Sequence, residues 1–230
     1  MNQIVTSGIV LSRTNFGEAD RILTVLTPDQ GRIKLMAKGV RKIKSKLAGG
    51  IELFSVSDIT YIKGKGDIST LISSRLKVHF GQIATDIDRT MFGYEALKRI
   101  NKTVEDNAGP EYFELLRATL EALDSLNLSL ESIELWLNAQ LLKLAGHSPN
   151  LKTDTTGNTL KSDQLYGFDL DKMAFAPREK GSYSANHIKL LRLAFQLQSP
   201  LTFSQIQEKD TSVRDCLILV KSMTSQFAHN

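Results

Sequence analysis

The chain has 230 residues, of which 41% are hydrophobic, and it contains one cysteine, Cys216. This length and composition predict a folded protein of one or two domains with a core of its own. A single cysteine excludes an internal disulfide and any metal site built from several cysteines. No long apolar run is present, and the first ten residues lack the features of a signal peptide, so a soluble, intracellular protein is expected.

Positive charge is concentrated at the N-terminal end of the chain. Residues 1–80 hold 13 Lys and Arg against 6 Asp and Glu, whereas residues 81–230 hold 16 against 19. The net charge of +4 therefore combines +7 in the first segment with −3 in the second. Such a basic region attracts phosphate backbones, acidic protein surfaces or anionic lipids, and charge alone leaves all three open.

Short strand patterns fill the first 75 residues. β-branched residues are frequent in residues 3–12 and 22–26, and basic and apolar side chains alternate at the start of residues 32–36. Two further strands are predicted over residues 51–62 and 68–73. Turn sequences at residues 27–31 and 63–67 predict hairpins. Five short strands at this spacing favour a small closed β-barrel, because closure removes exposed edges.

Helical periodicity begins after residue 80. Three apolar stripes predict a helical bundle: Ile83, Ile87 and Met91; Leu116, Leu120 and Leu123; and Ile133, Trp136, Leu137, Leu141 and Leu144, with Gly146 ending the third helix. Residues 147–184 lose the pattern and are predicted to form a loop or a small irregular insertion.

Two more helices are predicted near the C-terminal end. One covers residues 186–197, and the last begins at Ser212, where the sequence to Asp215 matches a capping box. The predicted fold class is therefore α+β. A barrel occupies residues 1–80, and a helical domain that includes the insertion occupies residues 81–230.

The basic segment from Arg32 to Lys46 is the main candidate site, because no acidic residue lies between Asp29 and Glu52. Its cationic residues are Arg32, Lys34, Lys38, Arg41, Lys42, Lys44 and Lys46. Such a strip could follow several phosphates of a single strand of nucleic acid. A solvated loop, an acidic protein target or a membrane target would also explain the charge. Lys63 and Lys65 could add phosphate contacts, although a hairpin turn requires no such role.

Aromatic side chains that could stack on bases are few. Phe54 and Tyr61 fall within strand patterns and are expected in the core, which leaves Phe16 as the best exposed candidate. A barrel with so few stacking residues depends on phosphate contacts. Binding that is sequence-independent and sensitive to salt is therefore expected.

No catalytic or metal site is expected. The four histidines, His79, His147, His187 and His229, show no spacing typical of metal ligands. Cys216 falls on the apolar face of the last predicted helix, together with Val213, Leu217, Val220 and Phe227. Asp86 and Asp88 suit the first turn of a helix, where carboxylates interact favourably with the helix dipole. The protein is expected to use no cofactor and no metal ion.

Several short motifs together resemble the bacterial RecO family of recombination mediators and DNA repair proteins. They are Gly8–Leu11, Gly17–Leu23 with Thr27 and Gly31, Ala37–Lys42, then Leu47, Gly50, Glu52 and Leu53, the Tyr61–Gly66 hairpin and, more thinly, Leu141–Pro149. The resemblance covers nearly all of the first 80 residues.

The resemblance implies an OB-fold barrel on an α-helical domain. It also implies a non-enzymatic, cytoplasmic, nucleoid-associated protein that binds single- and double-stranded DNA and anneals complementary strands. Such a protein would help load RecA onto strands coated by single-stranded DNA-binding protein, with RecR and the C-terminal tail of that binding protein as partners. Residues 38–42 with their basic neighbours would contact DNA. Gly17, Gly31 and Gly39 are instead predicted to serve turns and strand ends.

One departure from the family concerns zinc. Many members carry a four-cysteine zinc module after the central helices, whereas this chain has Thr153-Asp154-Thr155-Thr156-Gly157 in that place. No zinc is expected here. The insertion is predicted to hold its shape by packing Leu151, Leu165, Tyr166, Phe168 and Phe175, or to be partly mobile.

Two other classes of function stay open at this point. An RNA-binding OB-fold protein of the translation machinery would share the charge pattern but not the succession of motifs. An interaction adaptor whose basic loop recognises an acidic protein tail would share the charge without binding nucleic acid.

Overall fold

The computed structural model describes residues 3–64, 66–106, 108–205 and 210–227. The chain divides into two compact units, Met1–Leu126 and Asn127–Asn230. The domain boundary predicted at residue 80 coincides with the end of the strands. The first compact unit contains these strands together with the first two helices, up to Leu126.

Five strands open the first unit. They are β1 (Gln3–Phe16), β2 (Asp20–Thr27), β3 (Gly31–Ala37), β4 (Ser55–Ile62) and β5 (Ile68–His79). All five predicted strands are present, but β1 and β5 continue well beyond the predicted residues 12 and 73. The fourth begins at Ser55 rather than at residue 51, since Phe54 has a left-handed φ of 55° that is incompatible with a strand.

The strands close into a barrel in the order β1-β2-β3-β5-β4. All neighbouring pairs are antiparallel except β3 and β5, which are parallel from Lys34 to Met36 and from Ile68 to Thr70. This architecture confirms the predicted five-stranded OB-fold barrel. Its interior is filled by alternate residues of the strands, including Val10, Leu23, Leu35, Ile59 and Leu71.

Two helices complete the first unit, α1 (Ile87–Thr103) and α2 (Glu111–Ser125). Asp86 caps α1, because its side chain accepts a hydrogen bond from Arg89 N at 3.0 Å. The predicted stripe of Ile83, Ile87 and Met91 is wrong: Ile83 is buried before α1 starts, whereas Ile87 and Met91 are exposed.

The buried face of α1 lies elsewhere on the helix. It consists of Arg89, Phe92, Gly93, Ala96, Leu97 and Ile100. Arg89 belongs to this face because its guanidinium donates to the carbonyl of Leu123 at 2.8 Å, which satisfies a buried charge. In α2 the predicted stripe is confirmed, since Leu116, Leu120 and Leu123 are fully buried.

The second unit contains α3 (Leu130–Leu144), α4 (Ala185–Gln196) and α5 (Asp210–Phe227). Trp136 is buried in α3 and donates from Nε1 to the carbonyl of Leu197 at 2.9 Å. Cys216 is fully buried, as its place on the apolar face of α5 predicts. His147 is stacked on Phe227, and His229 lies outside the described residues.

The capping box predicted at Ser212 is wrong, because α5 already begins at Asp210 and Ser212 is buried within it. A capping box is found instead at the start of α4, where Ser184 N donates to His187 Nδ1 at 3.1 Å. His187 therefore serves the backbone of its own helix. Sequence patterns do not reveal this role, since His is not one of the usual residues at this position.

The insertion between α3 and α4 is built around a short hairpin of β6 (Tyr166–Asp169) and β7 (Ala174–Pro177). Tyr166 and Phe175 are fully buried with their ring centroids 6.1 Å apart, and Phe168 also packs on Phe175. These contacts confirm most of the predicted packing. Leu165 is the exception, since it is exposed where the strand enters the hairpin.

A hydrogen-bonded turn occupies residues 154–158, where the resemblance implies a zinc module in other members of the family. Oδ1 of Asp154 accepts bonds from Thr156 N at 2.8 Å, Thr156 Oγ1 at 2.6 Å and Asn158 N at 3.0 Å. These hydrogen bonds hold the pKa of Asp154 below its ordinary value, and the bond from the Thr156 hydroxyl has the largest effect. Burial of the carboxylate acts in the opposite direction and raises the pKa, but it has the smaller effect. The turn does not fit a zinc ion, because the carboxylate oxygen is already used and the segment contains no thiolate.

Asp154→Ala is therefore expected to loosen this turn, with lower hydrogen-exchange protection at Thr156 and Asn158 than in the wild type. Asp163→Ala is the matched control, because Asp163 is an exposed carboxylate of the same insertion. The pKa of Asp154 is lowered on folding, so its stabilisation is present above the ordinary carboxyl pKa and is lost as the pH falls through the lowered value. Equal protection in both variants would contradict this role.

Candidate nucleic-acid interface

The strand β3 separates the barrel core from a cationic outer face. Leu35 and Ala37 are fully buried, whereas Lys34 between Ile33 and Leu35 is exposed. Cross-strand pairing places Lys34 beside Thr24 of β2, and Thr24 beside Ser12 of β1. The outer face of β1, β2 and β3 is thus one continuous surface with Lys34 on it.

The segment that follows β3 is a structured loop, residues 38–47, which we call the basic loop. Its backbone is tied to the β1–β2 turn, because Gly39 N donates to Asp20 Oδ1 at 2.7 Å and Arg41 N donates to the carbonyl of Ala19 at 2.9 Å. Gly17, Gly31 and Gly39 all have positive φ, at 55°, 59° and 64°, which confirms their predicted roles in turns. The exposed cations of the loop are Lys38, Arg41, Lys42, Lys44 and Lys46.

Arg32 differs from the lysines of the predicted strip because its guanidinium already has partners. The guanidinium of Arg41 has one as well, since its Nη1 donates to the carbonyl of Gly17 at 3.3 Å. In Arg32, Nη1 donates to the carbonyl of Asn101 at 2.7 Å, and Nε lies 3.2 Å from Oδ1 of Asp106. The Arg32 side chain is 31% exposed. These bonds join β3 to the C-terminal end of α1, so Arg32 has a structural role that its sequence context did not reveal.

Lys63 lies just after the end of β4 and is exposed. It borders an open cavity of ≈ 340 Å³ between the β4–β5 turn and β3, which Arg32, Lys34 and Tyr61 also line. Asp67 and Asp106 contribute negative charge to the same cavity. The structure therefore brings Lys63 close to Lys34, while Lys65 lies outside the described residues.

The six exposed lysines of the site have little competition from carboxylates. Within the described parts of the chain, Lys34, Lys38, Lys42, Lys44, Lys46 and Lys63 form no ion pair. Two nearby acids have other partners, since Glu52 pairs with Arg13 at 2.9 Å and Asp20 accepts from Gly39 N. Asp67 is a further nearby acid, which lines the cavity with Lys34 and Lys63. The lysines are therefore available to an anionic ligand.

The aromatic candidates lie where the sequence predicts. Phe54 and Tyr61 are buried, and burial, followed by the charge of Asp29, raises the pKa of Tyr61. Phe16 is 52% exposed at the end of β1. By strand register it shares the outer face with Thr14, Ile22 and Met36. The alternation in sequence shows which residues face outward, but it does not reveal which residues on different strands become neighbours.

The described residues contain neither a cluster of potential metal ligands nor a helix suited to span a membrane. No three His, Cys, Asp or Glu side chains among them gather into a group that could hold a metal ion. No helix in the described part of the chain combines the length and apolar character needed to cross a membrane.

A closed five-stranded barrel in this strand order defines an OB-fold protein, and this one has exposed cations on β3 and in the basic loop. Residues 1–80 match the family model described as "Recombination protein O N terminal". The chain is 36% identical over 148 residues to the DNA repair protein RecO of Dehalococcoides mccartyi, and the alignment covers 64% of this chain and 58% of that protein.

Two other relatives bear the same name. The protein of Desulfatibacillum aliphaticivorans is 34% identical, with 66% of this chain and 60% of the relative aligned. That of Acetivibrio thermocellus is 30% identical, with 72% of this chain and 66% of the relative aligned. The chain belongs to the RecO family. It matches roughly three fifths of the length of these relatives.

Arg32→Gln and Lys34→Gln are expected to differ in their effect on the stability of the fold. Loss of the Arg32 bonds should lower the free energy of unfolding by about 1–3 kcal/mol, because it removes a charged hydrogen bond to the carbonyl of Asn101 together with the ion pair to Asp106. Loss of the exposed Lys34 charge should change it by less than about 0.5 kcal/mol. Urea unfolding measures both values. Equal effects of the two substitutions would contradict the structural role of Arg32.

Proposed function

We propose that this chain is a non-enzymatic DNA-binding protein of recombinational repair that holds single-stranded DNA on the β3 face and the basic loop. The observation that carries the proposal is the set of exposed lysines on the outer face of the OB-fold and in its adjoining loop, which form no ion pair with any described residue. The strand 2–3 face is where OB-folds bind oligonucleotides. The name shared by the relatives, DNA repair protein RecO, supports the same process.

Phosphates are the proposed ligands of these residues. Lys34, at the middle of β3, and Lys63 line the cavity beside this strand, and the cations of the basic loop follow the end of β3: Lys38, Arg41, Lys42, Lys44 and Lys46. β3 has seven residues, which corresponds to about 20 Å of extended chain. A strand of DNA laid along this path would meet Lys34 and Lys63 beside the middle of β3 and then the cations of the basic loop. Lys65 is included on sequence grounds.

The proposed binding is tolerant of base sequence. Phe16 is the one exposed aromatic side chain among the three candidates, so base stacking contributes less than the lysine contacts. Lysine presents a compact point charge and no planar fork, and it recognises phosphate without reading base edges. Double-stranded DNA, which carries the same phosphates, is a second proposed ligand.

The further steps of the proposed function involve protein partners. The barrel would hold and anneal complementary strands, while RecR and the C-terminal tail of single-stranded DNA-binding protein would dock on the protein during loading of RecA. These partners come from the family resemblance. They are proposed for this chain in a bacterial cytoplasm, at the nucleoid, without a membrane partner.

The direct test is a salt titration of single-stranded DNA binding by the full chain. Lys38, Arg41, Lys42 and Lys44 changed together to Glu should abolish most binding at low salt. A single change to Gln should lower the slope of log K against log salt by about 0.7 for each phosphate that the substituted side chain neutralises in the wild type. Fluorescence anisotropy of a labelled oligonucleotide measures both.

Lys161, Lys172, Lys180 and Lys189 changed to Glu form the control, because these exposed lysines of the second unit give the same change in net charge. Intact binding in the barrel variant, or equal loss in both, would remove the proposed site. A wild-type chain that fails to bind DNA but binds an acidic tail peptide would instead establish an interaction adaptor. Preference for RNA over DNA of the same sequence would favour the RNA-binding alternative.

A further inference from the structure

The most exposed apolar side chain of the barrel unit lies inside the basic loop. Ile43 has a relative exposure of 105%, which exceeds that of every other large hydrophobic residue in the described chain; the next are Ile87 at 79% and Val5 at 70%. Its immediate neighbours in sequence are Lys42 and Lys44, with Arg41 and Lys46 close by. An apolar group so fully in contact with water contributes nothing to the folded core.

The backbone presents Ile43 at the tip of a turn. Ser45 N donates to the carbonyl of Lys42 at 2.9 Å, which makes Ile43 and Lys44 the two central residues of a hydrogen-bonded β-turn. A second turn precedes it, with Lys42 N donating to the carbonyl of Gly39 at 3.1 Å. The Gly39 bond to Asp20 anchors the start of this arrangement on β2. Ile43 is thus held outward by the loop's own bonds.

The surroundings of this tip match a nucleic acid strand. Cations on either side of the turn would hold phosphates, and the bases of the same strand would then lie within reach of the residue between those cations. An apolar side chain in that position gains burial only from an apolar surface, and the faces of unstacked bases provide one. Aliphatic side chains are used in this way by proteins that wedge between base steps.

We propose that Ile43 inserts between two adjacent bases of the bound strand and unstacks them. The inference rests on the proposed DNA-binding function and assigns one base contact to a site otherwise built for phosphates. Insertion at this point separates two neighbouring bases of the bound strand and covers their facing surfaces with the isoleucine side chain. The contact requires a π-face but no particular hydrogen-bonding edge, so it keeps binding independent of sequence.

A cationic loop with an apolar tip would also suit an anionic membrane surface. The structure favours bases, because Ile43 is a single apolar residue and shares its turn with Lys44, whereas membrane insertion relies on a broad apolar face. The loop is moreover continuous with Lys34 and the β3 face, the ligand surface of an OB-fold.

The test is a double-mutant cycle between Ile43 and the bases. The full-length wild type and Ile43→Ala are titrated with an oligonucleotide of mixed sequence and with one whose central nucleotides are abasic. The preference of the wild type for the intact strand should shrink roughly three- to tenfold in Ile43→Ala, because the alanine methyl buries far less apolar area. The salt slope should be unchanged, since every cation is retained.

Val5→Ala provides the matched control, because Val5 is an exposed apolar residue of the barrel outside the basic loop. It should leave the preference for the intact strand unaltered. A 2-aminopurine base at the centre of the oligonucleotide gives an independent measurement. Its fluorescence should rise when the wild type binds, because the base becomes unstacked, and it should rise less when Ile43→Ala binds.

The outcomes separate the two proposals. No binding of either oligonucleotide by the wild type at low salt would overturn the DNA-binding function itself. Normal binding with no coupling between Ile43 and the bases would overturn the wedge and leave the function standing. Ile43-dependent binding to phosphatidylglycerol vesicles without base coupling would show a membrane contact in place of the wedge.

Discussion

The path of the basic loop depends on its attachment to the neighbouring hairpin. Asp20 begins β2, and its carboxylate accepts from Gly39 N at the start of the loop, while Arg41 N bonds to the carbonyl of Ala19 one residue before β2. Gly39 can make this approach because its φ of 64° bends the chain as it leaves β3. Without these bonds, a segment with this many like charges would repel itself into an extended, solvated chain. With them, the charges occupy defined positions beside β3.

The same constraint explains why separate parts of the sequence form one site. Gly17, Asp20 and Gly39 lie in three different turns or strand ends, yet all shape the region around the basic loop. They contribute geometry and the lysines contribute charge. A barrel that presents a cationic loop is therefore expected to need two kinds of residue in its sequence motif. Glycines and Asp20 shape the loop, whereas the cations are the residues proposed to face a ligand.

Sequence patterns predicted the barrel well because β3 alternates cleanly between the core and water, and the turns at residues 27–31 and 63–67 carry strong signals. They failed at α1, where Arg89 takes a buried place through its bond to Leu123 and the apolar residues Ile87 and Met91 remain exposed. Periodicity detects apolar residues, but it cannot detect a cation whose burial is supported by a distant carbonyl. Arg32 was placed with the free cations for the same reason, since its partners lie about 70 positions away along the chain.

Stability and the proposed function consequently depend for the most part on different cations, although Arg41 of the proposed site also donates to the carbonyl of Gly17. Arg32 and Arg89 have their guanidinium groups bound to carbonyl oxygens, and the fold retains them because unpaired carbonyls and buried charge are costly. The exposed lysines make no such bonds among the described residues and remain hydrated, so the folded state gains little from them. Folding therefore does not explain why these lysines are concentrated on one face of the barrel, or why Ile43 is exposed to water at the tip of the basic loop. A polyanion that releases counterions from the lysines and offers base faces to Ile43 would explain both features with a single ligand.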